Sequence, residues 1–338
     1  MKVVAIVGKQ EAELVDKPEP QAAEDFVVVR ITAAPMCTEY KAYFAGTRTD
    51  NLGHEAVGEV VEVAQPGCVK VGDRVVVQPQ YGCGRCCFCV SGDHIHCQQG
   101  RDPLAVTGSQ AGTATYAQYL LKQDWLLSPV PEDVSELHAS MACCGLGPTF
   151  GAMETMQVDA FDTILITGLG PVGLGGVINA RHRGARVLAV DSQLYRAKLA
   201  LELGAEEVLD PADGATPACL HELTEGLGVD KAVDCSGASA AQRLCVEATR
   251  RKGQVAFVGE GGEVPIRVSD DMIRKGLTVR GSWHYNLSLY PRIMDVIRRN
   301  GQQLDKLITH QFPMSRVREA WELQMTSECG KIVLDPWS

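Results

Sequence analysis

Apolar residues along this chain fall into two patterns that change near residue 145. Up to that point short runs rich in valine alternate with turn residues: Phe26 to Ile31, Ala56 to Val63, Arg74 to Val77 and Tyr116 to Leu121. Such runs bounded by glycine and proline predict strands, so about residues 1–145 read as a mostly β domain. The opening Met1-Lys2-Val3-Val4-Ala5-Ile6-Val7-Gly8 is too short to be a signal peptide and reads as a first strand. After 145, short apolar runs alternate with helical stretches. Strands are expected at Thr163 to Thr167, Arg186 to Asp191, Glu207 to Leu209, Lys231 to Cys235, Gln254 to Val258 and Leu277 to Arg280. Alternation of this kind predicts a parallel sheet covered on both faces, over 146–282. The last stretch, 283–338, predicts a helix from Tyr290 to Asn300, another around Val317 to Met325 and a strand from Lys331 to Leu334, returning to the first domain.

Within the β region lies a segment of different character, 79–98. It contains Cys83-Gly-Arg-Cys86-Cys87-Phe-Cys89 and then Cys97. The spacing C-x2-C-x2-C-x7-C gathers four thiolates, which suits a closed tetrahedral zinc site of the structural kind. Cys87 falls off the three-residue step and is not counted as a ligand. His94 and His96 lie in the same lobe, but four cysteines complete the tetrahedron, so both are expected at the surface. Thirteen cysteines and no export signal point to a reducing, cytoplasmic setting, where metal ligation is favoured over disulfides.

Composition narrows the field further. The 338 residues suffice for two domains, and 45% apolar with 22% charged residues is ordinary for a globular chain. A net charge of −10 argues against nucleic acid or anionic membranes as partners.

The run Gly168-Leu169-Gly170-Pro171-Val172-Gly173 follows one expected strand and opens a helix, and Asp191 ends the next strand. In that context G-x-G-x-x-G signals a dinucleotide. Gly168 permits the tight turn, Gly170 the approach of a pyrophosphate, and Gly173 close packing of helix on sheet. The N-terminus of the helix that Pro171 and Val172 open offers unpaired N–H groups to the phosphates. Asp191 would bond the ribose hydroxyls and repel a 2′-phosphate, favouring NAD over NADP; Arg196 keeps NADP as the alternative.

Three further residues, Cys37, His54 in Gly53-His54-Glu55, and Cys144 ahead of Gly145, form a Cys/His/Cys set. None is specific alone. Together with the four-cysteine lobe, Tyr116-Ala-Gln-Tyr119, Gly168 to Gly173 with Asp191, and Leu307-Ile-Thr-His-Gln-Phe312, they make the chain resemble the zinc-dependent medium-chain dehydrogenase/reductase family of alcohol, sorbitol and threonine dehydrogenases. The resemblance covers essentially the whole length. It implies a GroES-like β domain joined to a Rossmann domain, with the active site in the cleft between them. It implies a catalytic zinc on Cys37, His54 and Cys144, and a structural zinc on Cys83, Cys86, Cys89 and Cys97, two per chain. Phe150, six residues after Cys144, selects Cys144 over Cys143 by the family pattern.

The reaction so implied is hydride transfer between an alcohol or polyol and NAD, reversible to an aldehyde or ketone, with zinc as Lewis acid. A homodimer or homotetramer is implied as well. Cys37-Thr38-Glu39-Tyr40 departs from the family's C-x-S/T-D. Either one residue is missing, so that Thr38 and Glu39 stand for the hydroxyl and carboxylate, or Glu39 takes the hydroxyl position; the first reading is preferred. Thr38 is the candidate proton relay and Glu39 the alternative. Glu39 also has a second reading, orienting His54 through its free ring nitrogen. Glu55 reads as a supporting carboxylate or a transient ligand. Rival readings are a specificity for a secondary alcohol like that of threonine or sorbitol dehydrogenases, and a nucleotide-binding zinc protein without catalysis.

Overall fold

The structure, a computed structural model, describes residues 1–338 except Gln110 and Ala215. It divides into two compact units. The first holds 1–144, 286–301 and 308–338; the second holds 145–285 and 302–307.

In the first unit, β1 (Lys2–Gly8) and β2 (Glu11–Asp16) form a hairpin, and the larger sheet is organised by β3 (Phe26–Pro35). Beyond it come α1 (Tyr40–Ala45), β4 (Ala56–Glu62), β5 (Arg74–Val77), β6 (Tyr119–Gln123) and β7 (Leu127–Pro129). β3 is longer than its sequence pattern suggests because its partners change along its length. One edge pairs antiparallel with β4 over Val28 to Ala33. The other pairs with β6 over Phe26 to Arg30, then with the chain's last strand at Ala34 and Pro35. With neighbours on both edges and packing on both faces, β3 keeps eight of its ten residues buried, which masks any two-residue alternation.

The second unit is a six-stranded parallel sheet. Its elements are α2 (Gly147–Met156), β8 (Thr163–Thr167), α3 (Pro171–His182), β9 (Arg186–Val190), α4 (Leu194–Leu203), β10 (Glu207–Leu209), β11 (Val229–Asp234), α5 (Ser239–Ala248), β12 (Thr249–Phe257) and β13 (Thr278–Gly281). The strand order is β10-β9-β8-β11-β12-β13, all parallel where paired. Chain order thus reverses at β8, and ligands of such sheets bind beyond the strand ends at that switch. Ile164, Leu165 and Ile166 are wholly buried, as are Val187 and Leu188.

The C-terminal stretch completes the first unit. β14 (Ile308–Pro313), α6 (Val317–Thr326) and β15 (Lys331–Asp335) follow one another, and β15 pairs with both β14 and β3. α6 buries Trp321, whose ring stacks on Tyr43 at 4.7 Å in the centre of this unit's core. The strands β2 and β14 carry too little apolar alternation to be expected from sequence; their registers come from β1 and β15.

Candidate metal centres and nucleotide site

Two groups of metal-ligating side chains occur among the described residues, both in the first unit: Cys83, Cys86, Cys89 and Cys97, and Cys37, His54, Glu55 and Cys144. In each, the ligand atoms lie within 4.8 Å of one another.

The first group is built locally. The sulfurs of Cys83 and Cys89 are 3.9 Å apart, those of Cys86 and Cys89 3.6 Å, and those of Cys86 and Cys97 3.8 Å. Zinc–sulfur bonds of about 2.3 Å in a tetrahedron require sulfurs about 3.8 Å apart, so the four side chains fit that ion as they stand. Backbone amides favour the thiolate form: Cys83 N donates to Cys97 Sγ and Cys86 N to Cys83 Sγ, both at 3.3 Å. Hydrogen bonds from the Arg85 and Cys86 amides pull the Cys83 thiol down to about 6. Cys87 is exposed and lies outside the group. A side chain at Gly82 would crowd the lobe, since its Cβ would meet Cys89 Sγ and Trp125 at 3.0 Å. The lobe is moored by Asn286, which donates to Ser91 O and Asp93 Oδ1, and by Gln123, which donates to Gly82 O.

His94 corrects the expectation of a surface histidine. It is 2% exposed, its Nε2 lies 3.2 Å from Pro79 O, and its ring meets Trp125 edge-on. Burial, helped by Lys122, pushes its pKa down to about 4, so it stays neutral. His96 is exposed.

The second group draws on distant segments. Cys37 sits where the chain leaves β3, before α1. His54 and Glu55 immediately precede β4, and Cys144 is buried at the end of the first unit's main segment. His54 Nε2 lies 3.1 Å from Cys144 Sγ. Two carboxylates brace the ligands from behind. Glu39 Oε1 is 2.8 Å from His54 Nδ1, and its Oε2 accepts from Tyr116 Oη at 2.9 Å and from Cys37 N at 3.1 Å. Glu55, wholly buried, accepts from Cys144 N at 2.9 Å and from Lys331 Nζ at 2.6 Å. Gln324 Nε2 donates to Cys37 O. Cys143 takes no part in this group; its thiol faces Val77 O. Thr38 is exposed.

The electrostatics of this cluster are those of a cation site. A hydrogen bond from the Cys144 thiol holds the Cys37 pKa well below the thiol range, and the same bond raises that of Cys144. Burial opposes charge on His54, but hydrogen bonds to Cys37 and Glu39 override it and push the imidazole up to about 11. Side chains that draw a proton onto their own histidine leave a concentration of negative charge for a metal to replace. Two sulfurs and an imidazole are a donor set that zinc accepts. Burial alone would discharge Lys331, yet Glu55 holds it protonated, so the pair is a buried ion pair.

The nucleotide motif lies wholly in the second unit. Gly168, at φ +80°, follows β8; a Cβ there would meet Ser236 N at 2.7 Å. A Cβ on Gly173 would stand 1.9 Å from Gly168 O. At Gly170, by contrast, a Cβ would meet nothing within 4 Å, so the backbone borders open space. Pro171 and Val172 begin α3, and no side chain caps its N-terminus. These features fit a pyrophosphate lying against Gly170. Asp191 directly follows β9; its Oδ2 accepts from Leu169 N at 2.5 Å and its Oδ1 from Gln193 N at 2.7 Å. Arg196 lies in the first turn of α4, half-buried.

Comparison with known proteins matches two domains along the chain. Residues 23–132 match the alcohol dehydrogenase GroES-like domain, and residues 171–299 match the zinc-binding dehydrogenase domain. An uncharacterized zinc-type alcohol dehydrogenase-like protein of Escherichia coli K12 is 33% identical over 84% of this chain and 80% of its own. The chain belongs to the zinc-dependent medium-chain dehydrogenase family. As a member of that family it is an oxidoreductase. L-threonine 3-dehydrogenase of Pyrococcus furiosus is 30% identical over 98% of both chains. The solved alcohol dehydrogenase of Thermus sp. ATN1 shares the fold, with a TM-score of 0.88 at 23% identity over 99% of both chains. No helix among the described residues is long and apolar enough to cross a membrane.

Three contributors to the candidate site carried no role in the sequence reading. Tyr116 belongs to a recognised motif, but its hydroxyl meets Glu39 across 77 residues. Lys331 reaches Glu55 across 276, and Gln324 reaches Cys37 across 287. The one available signal was Lys331 itself, a lone charge opening the apolar run Ile332-Val333-Leu334.

Proposed function

We propose that the protein is an NAD-dependent dehydrogenase of an alcohol or polyol, holding two zinc ions per chain. The observation that carries this reading is the convergence of Cys37, His54 and Cys144 in front of two braced carboxylates. Cys37, His54 and Cys144 hold the catalytic ion; Cys83, Cys86, Cys89 and Cys97 hold the structural one. When bound, zinc supplies a Lewis acid for the substrate oxygen, and the nicotinamide supplies the hydride acceptor.

The chain's residues do the rest. Glu39 fixes the ring of His54 by its Nδ1, which leaves Nε2 facing Cys144 Sγ, where it would serve as a ligand. Glu55 fixes the Cys144 backbone, and Lys331 keeps Glu55 in place. Thr38, exposed beside Cys37, is the relay hydroxyl that passes the substrate's proton to water. Gly168, Gly170, Gly173 and the α3 N-terminus with Pro171 and Val172 hold the pyrophosphate. Asp191 selects NAD over NADP, and Arg196 lies nearby to contact the ribose side. The protein acts in a reducing, cytoplasmic compartment as a homodimer or homotetramer; its thirteen free cysteines support the first of these statements.

An NADH-absorbance screen over primary alcohols, secondary alcohols, polyols and hydroxy amino acids, with metal analysis of the same preparation, tests the reading. Turnover of at least one class with two zincs per chain is expected. One zinc and no turnover of any class would overturn it.

A further inference from the structure

We propose that Tyr116 is a positioning residue for the catalytic metal, acting through Glu39: its hydroxyl sets the carboxylate that braces both His54 and Cys37. The inference rests on the zinc reading above and adds a residue to it. Glu39 stands at the first turn before α1, two residues from Cys37, and its two oxygens have separate tasks. Oε1 faces His54 Nδ1. Oε2 takes the Tyr116 hydroxyl and the Cys37 amide. The Tyr116 hydroxyl also accepts from Cys37 N at 3.4 Å, so phenol, carboxylate and amide form a closed triangle. Without the phenol, Oε2 keeps one backbone donor, and a side chain with three torsions regains rotamers that turn Oε1 away from His54.

Tyr116 is suited to this task because it is held on all sides. It is wholly buried, its ring lies 6.3 Å from that of Trp321, and its backbone is bonded on both sides. Its carbonyl accepts from Val4 N, and its amide donates to Leu52 O, in the loop that carries His54. The same ring presses on Gly53. A Cβ there would come within 2.6 Å of Tyr116 Cδ1, and φ is +83°, so glycine is required immediately before His54. One tyrosine therefore touches the His54 loop with its backbone and ring face, and the Cys37 loop with its hydroxyl. It fixes the gap between two ligand-bearing segments that lie beyond the last pair of β3 with β4, Ala33 with Val57.

The test uses the full-length, zinc-loaded protein. Zinc release to a chelator is followed as two phases, with the four-cysteine lobe as internal control, and the visible spectrum is recorded after cobalt replaces the catalytic ion. Loss of a hydrogen-bonding partner behind a metal ligand typically costs about 10- to 100-fold in affinity or activity. Tyr116→Phe should release one zinc about tenfold faster, leave the other unchanged and shift the cobalt bands. It should add no acceleration in a Glu39→Ala background. Release and spectrum like wild type, or equal acceleration in both backgrounds, would overturn the proposal. Glu39→Asp, which leaves Tyr116 in place and withdraws the carboxylate by one methylene, should also speed loss of that zinc about tenfold; a wild-type rate overturns it, even where Tyr116→Phe fails to fold. Wild-type protein with a single releasable zinc overturns the metal reading itself, a result distinct from these.

Discussion

The two clusters of ligand side chains in the first unit are assembled in opposite ways. The four-cysteine lobe takes its ligands from fifteen consecutive residues, 83–97, and its own amides serve its sulfurs. The other cluster joins Cys37, His54 and Cys144 from three segments, and needs Glu39, Glu55, Tyr116 and Lys331 to hold them. A site made by a local turn needs little from the rest of the fold. A site made by tertiary packing must surround its ligands with buried charge, and is sensitive to every member of that shell.

The largest effect expected from this contrast is on turnover. His54→Ala or Cys37→Ser should lower kcat by at least about a thousandfold, since the ion loses a ligand. NAD binding, measured by fluorescence titration, and the zinc of the lobe should persist. Near-normal turnover in either variant would break the comparison.

Next in size is an effect on stability. Lys331→Met leaves Glu55 buried without its cation, which costs about 3–5 kcal/mol in comparable buried pairs. A clear fall in the urea midpoint is expected, with partial recovery when Glu55→Gln is added. An unchanged midpoint would show that this shell is dispensable.

Cys89→Ser should act more locally. It should release the lobe's zinc and increase hydrogen exchange across 79–98, while the rest of the first unit keeps its protection. Unchanged zinc content would remove the structural site.

The smallest effect lies at the base of the lobe. Lys122 is buried, donates to Gln80 O and lies 4.0 Å from the Tyr81 ring centroid. Burial pushes its pKa down to about 7, from about 10.4 in an unfolded chain. Between those values the unfolded chain keeps a proton that the folded one gives up, so this residue lowers stability as pH falls from 10 to 7. Relative to wild type, Lys122→Met should therefore be more stable at pH 7 than at pH 10, by about 3 kcal/mol. A difference independent of pH would contradict the burial argument.

The same contrast governs what was legible in the sequence. The spacing from Cys83 to Cys97 and the run from Gly168 to Gly173 are local, and their chemistry can be read from residue type and step alone. The strands from Thr163 to Thr167 and Arg74 to Val77 are equally local and occur at those bounds. His94 was misjudged because its burial depends on Trp125 and Pro79, which no spacing rule relates to it. The pairing of Tyr116 with Glu39, and of Lys331 with Glu55, exists only after the sheet has formed, since β15 reaches the site by pairing with β3. Alternation also failed for β2 and β14, edge strands that bury little and take their register from a neighbour.

The most direct measurement is anomalous X-ray diffraction at the zinc edge from crystals of the NAD complex. Two peaks per chain are expected, one among Cys83, Cys86, Cys89 and Cys97, and one bounded by Cys37 Sγ, His54 Nε2 and Cys144 Sγ. A single peak confined to the lobe, with those three side chains turned apart, would contradict the account.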